Sequence, residues 1–213
     1  MIISVANIKG GFFRSTTSVL LASALKTRGA SVAVVADSSE DEGSSLWSQT
    51  AALNGKPLPF EVFLIQNPTS TTWEEVDTFP AIRQQIKEIE EELGENGVVI
   101  IDPCHSNPVI LRELDQIVDL AIVPFDFSAM SLRPTLVTLQ IIGTPTRILV
   151  CGVQDDVDRD GKQYAPIIKR SGVRQFKTEI PYLRRYAKAY GEAWPAEEAN
   201  LPFDDLAAEI LEL

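Results

Sequence analysis

The stretch Ile2-Ile3-Ser4-Val5-Ala6-Asn7-Ile8-Lys9-Gly10-Gly11-Phe12-Phe13-Arg14-Ser15-Thr16-Thr17-Ser18-Val19-Leu20 decides how the 213-residue chain is read. An apolar run at residues 2–6 ends in a glycine-containing turn, and beyond Thr16 the residues Val19, Leu20, Ala22, Ala24 and Leu25 recur at helical spacing. The order is strand, loop, helix. Arg28-Gly29 closes the helix, and Ser31-Val32-Ala33-Val34-Val35 is a second, β-branched run. A strand, a helix and a strand within about 35 residues make a βαβ unit with parallel pairing.

Outward from this unit the alternation continues. Residues 60–65 read as a strand, and residues 81–93 as an amphipathic helix with Ile82, Ile86, Ile89 and Leu93 on one face. Val98-Val99-Ile100-Ile101 is an apolar run of the buried-strand type that ends at Asp102. Residues 119–124 and 146–151 repeat it. The pattern predicts an α/β fold, a doubly wound and mostly parallel sheet with helices on both faces, in one domain spanning residues 1–213. The cluster at residues 38–45 and the segment 67–73 read as surface loops.

Composition agrees with a globular protein. Hydrophobic residues make up 45% and charged residues 23%, which excludes disordered, collagenous and coiled-coil classes. A chain of this length can bury roughly 70% of its unfolded surface. No apolar run approaches the roughly 18 residues of a membrane span, and the start has neither a basic segment nor a cleavage site, so the expected location is cytoplasmic, without membrane contact. Cys104 and Cys151 have only His105 to join them as a soft ligand; this excludes a disulfide framework and a structural zinc, and leaves small buried hydrophobes. Trp47, Trp73 and Trp194 show no stacking pattern and read as core or interface.

The net charge is −11, which by itself argues against a nucleic-acid partner. Its distribution argues the other way. Residues 159–188 hold nine of the 19 basic residues and only two of the 30 acidic ones, so this window carries +7 and the remainder −18. Two readings stand for the window: an ordinary solvated helix face, or a surface that meets DNA phosphates.

In an open α/β sheet, ligands bind beyond the carboxyl ends of the strands, so the residues that follow each strand carry most of the functional information. Lys9-Gly10-Gly11-Phe12-Phe13-Arg14-Ser15-Thr16-Thr17 resembles the deviant Walker A loop of the ParA/MinD family, Lys-Gly-Gly-x-Gly-Lys-Ser/Thr-Thr. Asp102 falls where that family's Walker B aspartate ends a strand, and residues 179–191, with Ile180-Pro181, are similar to its late segment lining the base pocket. The resemblance covers nearly the whole chain and is closest to the small partition ATPases. It implies a P-loop fold, ATP and Mg²⁺ as cofactors, and a phosphate cradle made by Lys9, Gly10, Gly11, Phe13, Arg14, Ser15 and Thr16, with Ser15 and Asp102 at the metal and Pro181 at the base. Lys9 would be the signature lysine that crosses a nucleotide-sandwich dimer; without such a dimer it reads as a solvated loop residue. Asp102 would ligate Mg²⁺ through water, or cap the next helix.

Three demanding positions depart from the family pattern. Phe13 replaces a glycine needed for unusual backbone conformations and close approach to the ligand. Arg14 replaces the invariant lysine, and its planar fork does not mimic a compact ammonium between phosphates. After the second strand, Ser38 stands where an aspartate is expected to position the catalytic water. Each lost charge contact costs about 10²–10³ in rate, so ATPase activity is expected to be absent or very weak.

The resemblance also implies a non-specific DNA surface in the basic window, through Lys169, Arg170, Arg174, Arg184, Arg185 and Lys188, nucleoid association, a ParB-like or cargo-adaptor protein as partner, and a homodimer or heterodimer. The expected function is that of a partition or cargo-positioning protein with an eroded ATP site. The alternatives are a working ATPase with an atypical loop and a nucleotide-independent protein-binding scaffold. A dinucleotide oxidoreductase is disfavoured, because no G-x-G-x-x-G follows the first strand.

Overall fold

Ile2, Ile3 and Val5 have no solvent exposure, because the strand they form lies at the middle of a parallel sheet. A computed structural model describes residues 1–9, 13–37, 43–65, 79–103, 108–126, 128–153, 164–182, 189–192 and 201–213. Its elements are β1 (Ile2–Val5), α1 (Arg14–Thr27), β2 (Ser31–Asp37), α2 (Gly43–Leu53), β3 (Glu61–Ile65), α3 (Phe79–Leu93), β4 (Gly97–Asp102), α4 (Pro108–Asp115), β5 (Leu120–Phe125), α5 (Ala129–Ile141), β6 (Thr146–Val153), α6 (Ala165–Arg170), β7 (Arg174–Gln175), β8 (Ile180–Pro181) and α7 (Leu201–Leu211). The strand order is β3-β2-β4-β1-β5-β6-β7, with β8 also pairing β6. Every pairing is parallel.

β1 lies between β4, with Ile3 opposite Ile100, and β5, with Ser4 opposite Ala121. From β1 the chain crosses over β4 to reach β2, whereas from β4 it crosses over β1 to reach β5. Those opposite turns leave a crevice above the carboxyl ends of β1 and β4. The uninterrupted apolar sequences of β4 and β5 are fully buried, as strands covered on both faces must be. One face packs Ile3, Val5 and Ile100 against Leu20, Leu21 and Leu25 of α1 and Phe203, Leu206 and Ile210 of α7. The other packs Ile2, Val99 and Ile101 against Ile86 of α3 and Ile110 and Leu114 of α4.

The expected doubly wound sheet is present, and α3 presents Ile82, Ile86, Ile89 and Leu93 to one cluster as their spacing predicts. Trp47 is a core residue, 1% exposed. Cys151 is buried too, and burial, aided by the Asp126 carboxylate, pushes its thiol well above the ordinary range. It is an inert packing residue.

Two expectations need correction. Residues 43–45 are not surface loop: they form the first turn of α2, with Ser44 wholly buried. The cause is tertiary, since Gly43 takes a left-handed φ of 62° and a carboxylate from β4 receives the helix start. Helix α7 is missing from the expected elements although Phe203, Leu206, Ala207 and Ile210 keep i, i+3, i+4, i+7 spacing, and all four are wholly buried. It is tied to α1 by Arg28, which donates from Nε and Nη2 to the Asp204 carboxylate, each at 2.8 Å. The segment 67–73, Cys104, His105, Trp73 and Trp194 lie outside the described residues.

Candidate functional site

The chain leaving β1 is fixed before the loop begins. Asn7 is wholly buried; its Nδ2 donates to the Pro124 carbonyl at 2.9 Å and to Thr135 Oγ1 at 3.2 Å, and its Oδ1 accepts from the Lys9 backbone N–H at 3.0 Å. Gly10 and Gly11 lie outside the described residues. The loop then enters α1 through Phe13, whose φ of 52° makes it the one non-glycine residue in the left-handed region among the described residues. That conformation costs an L-residue with a Cβ roughly 1–2 kcal/mol, so the position where a glycine is expected does require a glycine-like backbone. Phe13 is retained through its ring, which packs on the core and lies 3.5 Å from where a Cβ on Gly152 would stand.

Arg14 follows in the first turn of α1. It is 7% exposed, and its Nη1 donates to the carbonyl of Asn7 at 3.2 Å and to that of Pro103 at 2.8 Å. These carbonyls follow β1 and β4, so the guanidinium bridges two adjacent strand ends. Planar geometry with several donors suits it to such carbonyl pairs better than an ammonium.

Ser15 and Asp102 meet beside α2. A Cβ placed on Gly43 would be 3.2 Å from Ser15 Oγ and 3.3 Å from Asp102 Oδ2, so both oxygens flank one point. Asp102 is 2% exposed; its Oδ2 accepts the Ser44 N–H at 3.2 Å, while Oδ1 has no hydrogen-bond partner among the described residues. Asp102 therefore caps the start of α2. A buried carboxylate oxygen without a donor is costly, and a carboxylate and a hydroxyl that flank one point are hard-oxygen donors of the kind that suits Mg²⁺. No cluster of three or more His, Cys, Asp or Glu that could hold a metal occurs among the described residues, and Mg²⁺ held with phosphates needs only one carboxylate and a hydroxyl. Thr16, the next residue of α1, is half-buried.

A short segment covers the outer side of α2. The Tyr190 hydroxyl donates to the Gly43 carbonyl at 3.3 Å, its ring centroid is 5.1 Å from that of Trp47, and Trp47 Nε1 donates to the Glu192 carbonyl at 3.0 Å. Gly191 sits between them with φ of 74°, and a Cβ there would fall 2.4 Å from Thr50 Cγ2. Gly191→Ala is therefore expected to lose about 2 kcal/mol of stability from backbone strain and overpacking together, measured as a lower midpoint in urea unfolding.

Pro181 stands opposite Val153 in the β6–β8 pairing, one residue beyond Gly152. Lys9, Phe13, Arg14, Ser15, Asp102 and Pro181 all gather at the carboxyl ends of the strands. The basic residues do not join them. Lys169 and Arg170 end α6, Arg174 opens β7 opposite Arg147, and all three are exposed. They lie at the amino end of β6, about 17 Å along the strand from Gly152. Arg184, Arg185 and Lys188 lie outside the described residues. Sequence reasoning missed Gly43, Ser44 and Asn7, which bring the site together; the buried asparagine directly after a strand was the available signal.

No family model and no curated protein matches this sequence. Solved structures do match. The apo form of McdA from Cyanothece superposes with a TM-score of 0.72 at 15% identity over 98% of each chain. MinD of Aquifex aeolicus, in its complex with MinC, gives 0.71 at 13% identity over 100% of this chain and 96% of that one. A plasmid partition protein from Borrelia burgdorferi gives 0.62 at 16% identity over 99% and 97%. The chain therefore has the fold of the ParA, MinD and McdA proteins, along essentially its whole length.

Proposed function

We propose that the protein is a ParA-like positioning protein whose nucleotide switch is altered, with a basic surface that meets DNA and a second protein that supplies cargo. The observation that carries the altered switch is Arg14: the residue at the invariant lysine's place is buried and committed to two backbone carbonyls. Phe13, strained and packed on the core, adds to it. On this reading the loop joins strand to helix without holding ATP as the family's loop does. Isothermal titration with ATP and Mg²⁺ tests it, and a micromolar dissociation constant, about −8 kcal/mol, would overturn it.

A second reading has its own observation. The Ser15 hydroxyl and the Asp102 carboxylate, one of whose oxygens has no partner among the described residues, would hold Mg²⁺, whose charge supports binding of phosphate oxygens. This supports a chain that keeps the metal half of the site after losing the phosphate half, and a Mg²⁺-dependent rise in melting temperature that Asp102→Asn abolishes is its expected sign.

For DNA, Lys169, Arg170, Arg174 and Lys177 are exposed in a chain that is otherwise acidic. No helix among the described residues is long and apolar enough to cross a membrane. Phosphate binding follows local Lys and Arg density, and each neutralised phosphate releases counterions. Replacing Lys169 and Arg170 together by alanine should weaken binding equally on unrelated duplexes and lower the log–log salt slope by about 2. Binding should not require ATP. Electrophoretic shifts across salt, with and without ATP, check both statements; absence of binding at low salt leaves the protein-binding scaffold.

A further inference from the structure

We propose that residues 189–192 are a latch that holds the start of α2 on the Asp102 carboxylate, so that a divalent cation binds between Ser15 and Asp102 in competition with the latched helix. The proposal rests on the reading in which those two side chains hold Mg²⁺, and it assigns that site a regulator within the chain.

The competition is for one side chain. Asp102 Oδ2 accepts the Ser44 N–H at 3.2 Å and so answers the positive end of the α2 dipole. A cation on the same carboxylate faces that positive end in a site where Asp102 is 2% exposed, and like charges repel more strongly there than in water. The two are also close, because the point 3.2 Å from Ser15 Oγ and 3.3 Å from Asp102 Oδ2 is one covalent bond from the Gly43 Cα. The helix start does not hold this place by a good fit of its own. Ser44 Oγ and Asp102 Oδ1 are both buried without a hydrogen-bond partner among the described residues, and each carries the penalty of an unmade bond. Contacts further out hold it instead. The Tyr190 hydroxyl donates to the Gly43 carbonyl at 3.3 Å, Trp47 Nε1 donates to the Glu192 carbonyl at 3.0 Å, Asn54 Nδ2 donates to the Gly191 carbonyl at 3.1 Å, and Lys56 Nζ pairs with Glu192 at 2.6 Å. Residues 190–192 thus grip α2 from its first residue to just past its last. Tyr190 is the member that touches Gly43, and its ring lies 5.1 Å from that of Trp47. Linkage makes the effect reciprocal: the factor by which the latch weakens cation binding is the factor by which the cation loosens the latch.

The test uses the full chain with Mn²⁺ as the probe, its binding followed by the paramagnetic resonance signal of the free ion. Trp73→Phe and Trp194→Phe are added so that Trp47 is the one tryptophan left. Expected are saturable Mn²⁺ binding that Mg²⁺ displaces, and a change in Trp47 fluorescence with the same midpoint. Tyr190→Phe keeps the ring and removes only the bond to Gly43, so it should bind Mn²⁺ about fivefold tighter, the equivalent of one hydrogen bond. Asp102→Asn should lose the binding and the fluorescence change together. The sign of the Tyr190→Phe effect separates a latch from a support, because loss of a residue that merely props up the site weakens binding or leaves it alone. Mn²⁺ binding by Tyr190→Phe no tighter than the parent's, or binding that leaves Trp47 fluorescence unchanged, overturns the latch and leaves the metal reading standing. Absence of Mn²⁺ binding in both proteins, or binding that survives Asp102→Asn, overturns the metal reading and the latch with it.

Discussion

Phe13→Gly combined with Arg14→Lys is expected to bring ATP·Mg²⁺ affinity from millimolar or weaker into the micromolar range, a gain of about a thousandfold or ~4 kcal/mol. The glycine removes the ring while keeping the left-handed backbone that the loop already adopts. The lysine exchanges a guanidinium anchored on carbonyls for a compact ammonium able to meet phosphate. Hydrolysis should not return with binding. Positioning water needs a carboxylate where Ser38 stands, so turnover should rise only when Ser38→Asp is added. Isothermal titration and phosphate-release assays on the double and triple variants check the order; a double variant as fast as the triple one would refute it.

Arg14→Met is expected to destabilise the fold by about 3 kcal/mol. Methionine keeps the packing of the stem, so the loss comes from the hydrogen bonds. Donors to the Asn7 and Pro103 carbonyls disappear from a site 7% exposed, and a bond from a charged donor is worth about 1.5–3 kcal/mol. Arg14→Lys should fall between, since one ammonium satisfies one carbonyl well and the other poorly. Urea unfolding gives the values. An Arg14→Met midpoint equal to the parent's would mean that the guanidinium does not bridge β1 and β4, and would remove the main support for an altered switch.

These two expectations also mark where the sequence stops being readable. Parallel strands buried on both faces announce themselves as runs such as Val98-Val99-Ile100-Ile101, and α3 by its four apolar positions; both signals are local. The departures at Phe13 and Arg14 are visible in the sequence, but their resolution is not. Nothing local says that Arg14 turns inward, because its acceptors are 7 and 89 residues away. Likewise α2 has a weakly patterned sequence, and its start is set by Asp102, 58 residues from Ser44. Its serines read as loop because serine favours turns when no distant acceptor is known. The place of the basic residues, at the far end of β6 from the loop, follows from a two-residue strand too short to predict.

The position of β1 also shapes how the protein comes into being. Ile2 is paired with Val99 and Ile3 with Leu120, so β1 must await partners made much later. At ribosomal speeds of about 5–20 residues per second, a hundred residues take roughly 5–20 s, long compared with the microseconds in which an isolated helix forms. During that interval an apolar strand has both hydrogen-bonding edges open, a template for pairing with other nascent chains. The central strand of the finished sheet is thus the growing polypeptide's greatest exposure to aggregation, and truncation before β5 would make that exposure permanent.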